Sequence, residues 1–253
     1  MLEETLRKYK EPSSQTEQDK QERAERMVRG AVRGWHGFEG IGLRILVKGS
    51  YANNTNIRTD SDVDIAVIHK GFNYYDDSEL PPRERIRPEF ITCAHYDGAD
   101  FRAELEKALR GKFGNQCDTS GKTAITIQES SSRVGIDVVP SFEFRRYYHD
   151  FWWGRRYHEG TKTRRIDGSW IVNFPEQQLD NGRTKNRNTN GRYKHQVRIL
   201  KRIENELVKA GRIARLPSYF MECLITDGPG NRALPATRCY RPDRALPGMI
   251  FLS

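Results

Sequence analysis

Two carboxylates two residues apart, Asp62 and Asp64, sit within Ser61-Asp62-Val63-Asp64-Ile65. On a strand such residues share one face, so Asp62 and Asp64 present oxygen atoms side by side while Val63, Ile65 and Val67 point the other way. Phosphoryl and nucleotidyl transfer ask for little covalent help from a protein. They need the phosphates positioned and the developing negative charge neutralised, usually by two divalent ions. Mg²⁺, with Mn²⁺ as a substitute, takes oxygen ligands, and a carboxylate pair can bridge two ions when a third carboxylate comes from a neighbouring strand. Asp137 is the candidate third, because Ile136 and Val138 beside it would pack on the opposite face. Asp60 competes with Asp64 as the partner of Asp62, but it lies among loop residues. Asp118 and Glu129 are weaker rivals to Asp137.

Gly49-Ser50 meets the other requirement. A glycine at a strand-end turn lets backbone approach a phosphate closely, and the serine amide and hydroxyl can donate to triphosphate oxygens. A second phosphate-binding imitation, Ser120-Gly121-Lys122-Thr123, fails as a P-loop. Its first glycine would have to be position 116, which is Gln116, and it runs into a strand instead of a helix.

The elements that must position these groups follow from periodicity. Ser14 to Trp35 carries Ala24, Met27, Val28, Ala31 and Trp35 at helical spacing. Leu43–Val47 and Asp62–Ile68 read as strands, Asp100–Leu109 as a helix, and Thr123–Gln128 with Val134–Val139 as an antiparallel pair. Beyond Pro140 aromatic and basic residues dominate through Trp170, and Asn181 to Gly191 has the composition of a mobile loop. Tyr193 to Ala210 predicts a helix with Tyr193, Val197, Leu200, Ile203 and Leu207 as its apolar stripe and Gly211 as its stop. Leu216-Pro217-Ser218 opens another helix, and Thr226 to Ser253, with four prolines, is expected to be irregular. The fold class is therefore α/β (α+β): a mixed sheet faced by a helical lobe, with a nucleotide cleft between them. Residues 36–150 form the catalytic core, 1–35 plus 151–225 the helical lobe and 226–253 a tail.

Composition narrows the rest. A chain of 253 residues can bury a sizeable core without staples. Cys93, Cys117, Cys223 and Cys239 are scattered without a C-x-x-C pair, which argues against a zinc ribbon or a secreted disulfide framework. No segment reaches the roughly 20 apolar residues of a membrane span and no leader is evident, so a cytoplasmic protein with no membrane partner is expected. The net charge of +9 attracts polyanions, triphosphates and nucleic acids alike.

Gly49-Ser50-Tyr51 followed by Ser61-Asp62-Val63-Asp64-Ile65, with a later strand aspartate, resembles the signature of polymerase-beta-like nucleotidyltransferases. The fuller wording GSYANNTNIRTDSDVDIAV is most similar to the bacterial cyclic GMP-AMP synthase-like enzymes (CD-NTases), which make cyclic oligonucleotide signals in antiphage defence. Val197-Arg198-Ile199-Leu200-Lys201 and Leu216-Pro217-Ser218-Tyr219 resemble that family's helical lobe. The resemblance implies that Lys201 and Ser218 hold phosphates of a nucleoside triphosphate and that Tyr219 stacks on a base. A regulatory protein or nucleic-acid activator fits the same picture, and the oligomeric state is left open. The zinc-binding insertion of the animal members has no counterpart here.

Other readings compete. Lys194, Arg198 and Lys201 also fit a solvated basic stripe. Ser218 could cap a helix, and Tyr219 could be core. Phe142-Glu143-Phe144-Arg145-Arg146-Tyr147-Tyr148, continuing through Phe151-Trp152-Trp153, suits either an interlobe core or a base-stacking surface. At the level of function, a template-independent RNA or linear oligoadenylate polymerase and a catalytically inactive nucleotide-binding regulator are the rivals.

Overall fold

Helical stripes and alternating strands assemble here into a seven-stranded mixed sheet carrying helices on both faces. The computed structural model describes residues 2–57, 62–86 and 97–227. Of the expected irregular tail 226–253, Thr226 and Asp227 are helical and the rest lies outside the described residues, as do Asp60, Ser61, Cys93 and Cys239.

The chain opens with α1 (Leu2–Tyr9) and α2 (Gln15–Arg33). Ser14 caps α2 by accepting from the Glu17 amide. Strand β1 (Leu43–Lys48) runs into the short helix α3 (Gly49–Ala52), and β2 (Val63–Asp76) follows. Helix α4 (Gly98–Phe113), N-capped by Asp97, leads to β3 (Cys117–Asp118), β4 (Ile125–Ile127) and the long β5 (Ile136–Asp150). Strands β6 (Gly154–Arg164) and β7 (Trp170–Asn173) precede α5 (Pro175–Asn188), α6 (Arg192–Lys209) and α7 (Ser218–Asp227).

The sheet order is β1-β2-β5-β4-β3, with β6 pairing β5 and β7. Among the described residues only β2 and β5 pair in parallel. Val63, Ile65 and Val67 of β2, Ile125 and Ile127 of β4, and Ile136 and Val138 of β5 meet Phe101, Leu105 and Leu109 of α4 in one core. The period-2 expectation thus holds. With the apolar residues turned toward α4, Asp64 and Asp137 are left on the other face.

Four expectations need correction. Asn181 to Gly191 is not a loop over most of its length: α5 runs to Asn188. Gly182 is there for close packing, since a Cβ at that position would fall 2.6 Å from Asn53 Oδ1. Burial of Leu179 and Lys185 then outweighs the polar composition. Residues 151–173, expected with the helical lobe, continue the sheet, because β5 turns straight back into β6 with Asp150 opposite Gly154. Helix α2 packs its Ala24, Val28 and Val32 into the sheet's core, whereas α1 lies against α6.

The fourth correction concerns α6. Its expected stripe is only partly inside, with Tyr193 and Val197 buried but Ile203 and Leu207 38% and 39% exposed. The polar face with Arg198, Lys201 and Glu204 is buried instead. That face meets backbone that can satisfy it: Arg198 donates to the carbonyls of Lys10 at 2.7 Å and Asn54 at 2.9 Å, and Glu204 accepts from the Leu216 amide. The solvated-stripe reading therefore fails for Arg198 and Lys201.

Candidate active site

Strand register places the acidic residues. Asp64 lies beside Asp137 across the parallel β2–β5 pair and opposite Lys48 across the β1–β2 pair. Its carboxylate is 3.6 Å from the Lys48 ammonium. Burial pushes the Asp64 pKa up, Asp137 adds to the rise, and the charges of Lys48 and Lys201 oppose it. Asp137 is fixed from its other side, accepting from Thr126 Oγ1 at 2.7 Å on β4.

Asp62 comes one residue before β2, and its side chain rests on the backbone of Gly135, where a Cβ would fall 2.5 Å from Asp62 Oδ1. Among the described residues no three His, Cys, Asp or Glu side chains are gathered into a metal cluster. The donor set nonetheless fits a hard divalent cation. Every donor is a carboxylate oxygen, two of the groups stand side by side, and a cation would offset both the desolvation and the Asp137 repulsion that raise the Asp64 pKa. Asp62, exposed one residue before β2, is the third carboxylate of the candidate set.

Gly49 is required twice over. Its φ of +70° lies in the left-handed region, and an added Cβ would stand 2.2 Å from Asp64 Oδ2. The turn and the metal-ligand candidate are therefore packed against one another, with buried Ser50 next in line. Gly49→Ala should cost about 1–2 kcal/mol in denaturant unfolding for the backbone strain alone. Displacing the Asp64 carboxylate should lower initial rates of any nucleotidyl transfer by about a hundredfold.

The helical lobe reaches the same place. Lys201 is fully buried on α6 and its charge is felt at Asp64. Helix α7 packs on both α6 and α3, and half-buried Ser218 and Tyr219 stand in its first turn. The structure thus gathers Gly49, Ser50, Asp64, Asp137 and Lys201 with Asp62 at the margin. Ser120–Thr123 is a loop whose Gly121 and Thr123 carbonyls accept from Arg102, as the missing helix required.

Two features escaped the sequence reading. Lys48 pairs with Asp64, and its position just before Gly49 at a strand end was the available signal. Glu222 of α7 accepts from Asn53 Nδ2 at 3.1 Å and from Thr55 Oγ1, all three residues being buried. No spacing in the sequence announces that contact across more than 160 residues.

Comparison with known proteins identifies the family. The nucleotidyltransferase domain family matches residues 36–147, and the cGAS/DncV-like nucleotidyltransferase C-terminal helical domain matches residues 180–239. A cyclic dipyrimidine nucleotide synthase (CdnE) of Legionella pneumophila is 39% identical over 225 residues, covering 88% of this chain and 75% of the relative. Another CdnE cyclic dipyrimidine nucleotide synthase, from Cecembia lonarensis, is 34% identical over 230 residues, covering 90% and 75%. Among solved structures, the Elizabethkingia meningoseptica CdnE cyclic dinucleotide synthase with GTP and Apcpp superposes with a TM-score of 0.70 at 30% identity, covering 92% of this chain and 78% of that one.

Proposed function

This chain belongs to the family of cGAS/DncV-like nucleotidyltransferases (CD-NTases) and is a cyclic oligonucleotide synthase, and we propose that Asp62, Asp64 and Asp137 form its catalytic metal centre. The observation that carries this assignment is the Asp64–Asp137 pair held in parallel register beside Gly49. Family members use divalent metal ions; for this chain we assign Mg²⁺, with Mn²⁺ able to replace it. When bound, the ions neutralise charge on the donor triphosphate and lower the pKa of the acceptor hydroxyl.

The chain's own residues do the positioning. Gly49 leaves room for phosphate oxygens against backbone, and the Ser50 amide and hydroxyl donate to them. Lys201 places a buried cation on the same side of Asp64, where low dielectric strengthens its pull on a triphosphate. Ser218 adds a hydroxyl and Tyr219 a ring face for the base. Asp137, steadied by Thr126, orients the acceptor end. A hydroxyl of one nucleotide displaces pyrophosphate from the α-phosphorus of the other, and a second transfer with the roles exchanged closes the ring.

The similar chains differ in base choice, with dipurine and UMP-AMP synthases among them. Two of the similar chains are dipyrimidine synthases, which makes UTP and CTP the first substrates to test here. No helix among the described residues is long and apolar enough to cross a membrane, and a cytoplasmic location suits an enzyme that draws on the nucleotide pool. A role in antiviral signalling fits this family.

Purified protein incubated with each labelled nucleoside triphosphate and Mg²⁺ or Mn²⁺ should release pyrophosphate and yield a small phosphatase-resistant product. A product that phosphatase degrades would sink the cyclic reading, and no pyrophosphate under any combination would sink the enzyme. Lys201→Gln should raise KM for the triphosphate by roughly 10- to 150-fold, the worth of one charge-assisted hydrogen bond. Initial-rate kinetics on the same substrates check this.

A further inference from the structure

The β5–β6 hairpin ends in Phe151-Trp152-Trp153, with side chains 84%, 82% and 75% exposed. Nucleotidyl transfer makes no use of them. At about 3.3 Å per residue the tip lies roughly 40 Å along β5 from Asp137. Single exposed aromatics need no explanation, but three in succession on a projecting tip form a patch that does. Their presentation is fixed: the Asp150 carboxylate accepts from the Trp152 and Trp153 amides, each at 2.9 Å.

Exposed arginines stand close by. Arg156 stands two rows behind the tip, opposite Tyr148, and Arg83 and Arg85 lie on the adjoining loop. All three are exposed. That loop is tied to the hairpin, because Glu84 bonds His149 at 2.8 Å and Arg155 donates to the Glu84 carbonyl at 3.2 Å. Of the acids on these segments, Asp150 holds the turn amides, Glu84 holds His149 and also pairs with Arg83 at 3.7 Å, Asp76 pairs with Arg146, Asp77 accepts from the Ile86 amide, and Glu79 is exposed.

We propose that this hairpin tip docks the protein on an anionic phospholipid surface, with Phe151, Trp152 and Trp153 entering the interface and Arg83, Arg85 and Arg156 meeting headgroup phosphates. Tryptophan favours that interface because its ring is apolar and its N–H is not. Arg156 trails the tip by about 7 Å, within the roughly 5–10 Å over which interfacial elements sink from headgroup to acyl boundary. The rings of Phe151 and Trp152 stand at 87° to each other, so one flat partner cannot stack on both, whereas a fluid interface surrounds both. Among the described residues the rings behind the tip already have partners. Arg145 already covers Tyr157 at 4.7 Å, Arg155 lies 5.9 Å from Tyr147, and Tyr148 stacks on His158 at 4.6 Å.

Vesicles of phosphatidylglycerol mixed with phosphatidylcholine, compared with phosphatidylcholine alone, test this by co-sedimentation of the whole chain. Binding should favour the anionic vesicles and weaken with salt. Phe151→Ser, Trp152→Ser and Trp153→Ser combined should reduce it by about tenfold or more. Arg83→Gln, Arg85→Gln and Arg156→Gln combined should remove most of its salt dependence. Pyrophosphate release without vesicles should be unchanged in both variants, which separates this proposal from the catalytic one. It is overturned if the unsubstituted protein ignores anionic vesicles, if the serine variant binds them equally well, or if the tip residues govern binding to single-stranded RNA and not to vesicles.

Discussion

Asp64→Asn should lower pyrophosphate release from nucleoside triphosphates by about a thousandfold or more, while leaving the fold at least as stable as before. The activity loss follows from position. Asp64 meets three other parts of the site: Gly49 through packing, Lys48 through an ion pair and Asp137 through strand register. The stability half follows from cost. The side chain is 36% exposed, but desolvation of the part that is covered and the neighbouring Asp137 carboxylate disfavour its charge more than Lys48 and Lys201 favour it. A carboxylate whose pKa is raised on folding takes stability away once the pH exceeds its unfolded value, so at neutral pH a neutral amide removes a penalty. Thermal melting without divalent ions should therefore show the variant equal to or above the unsubstituted protein. Adding Mn²⁺ should raise the melting temperature of the unsubstituted protein alone. Near-normal turnover, or melting well below the unsubstituted protein, would show that Asp64 is not the centre of the site.

The sheet was legible because its residues obey a period of two. Val63, Ile65 and Val67 could only be buried together, which forced Asp64 onto the opposite face, and Ile136 and Val138 did the same for Asp137. That logic reaches only local geometry. It could not show that β2 and β5 pair in parallel, with Asp64 and Asp137 as direct neighbours. Nor could it show that Asp62 rests on Gly135. Both depend on partners distant in the sequence.

The helical lobe was read less well, for the same reason. On α6 the apolar residues suggested one buried face, yet tertiary contact buried the face with Arg198 and Lys201 because backbone carbonyls on the N-terminal segment and the 53–56 loop were there to receive Arg198. Hydropathy sees side chains and not the backbone groups waiting for them. On α5 the glycine and asparagines looked like loop punctuation, while Gly182 serves as a contact point for Asn53. The resemblance to a known family supplied Lys201, Ser218 and Tyr219, which no periodicity would have selected.

Glu222→Ala should destabilise the protein by about 2–5 kcal/mol in denaturant unfolding, the largest stability loss expected of any single change at the joint between sheet and helical lobe. Glu222 is 4% exposed and takes hydrogen bonds from Asn53 and Thr55, themselves 2% and 0% exposed. Removing the carboxylate leaves two buried donors with little to meet, since Thr55 has only the Ser50 carbonyl at 3.4 Å in reserve. Each such donor costs about 1–3 kcal/mol. Glu222→Gln keeps one acceptor and should lose roughly half as much. Thr55→Val combined with Glu222→Ala should cost less than the sum of the two, because the second change removes a donor the first has orphaned. Asn53 and Thr55 directly follow the Gly49–Ala52 turn, and Glu222 shares α7 with Ser218 and Tyr219. Loosening the joint should therefore raise KM for the triphosphate even where the folded fraction is complete. Strict additivity in the cycle, or a KM that stays fixed as stability falls, would show instead that Glu222 only fills space between the lobes.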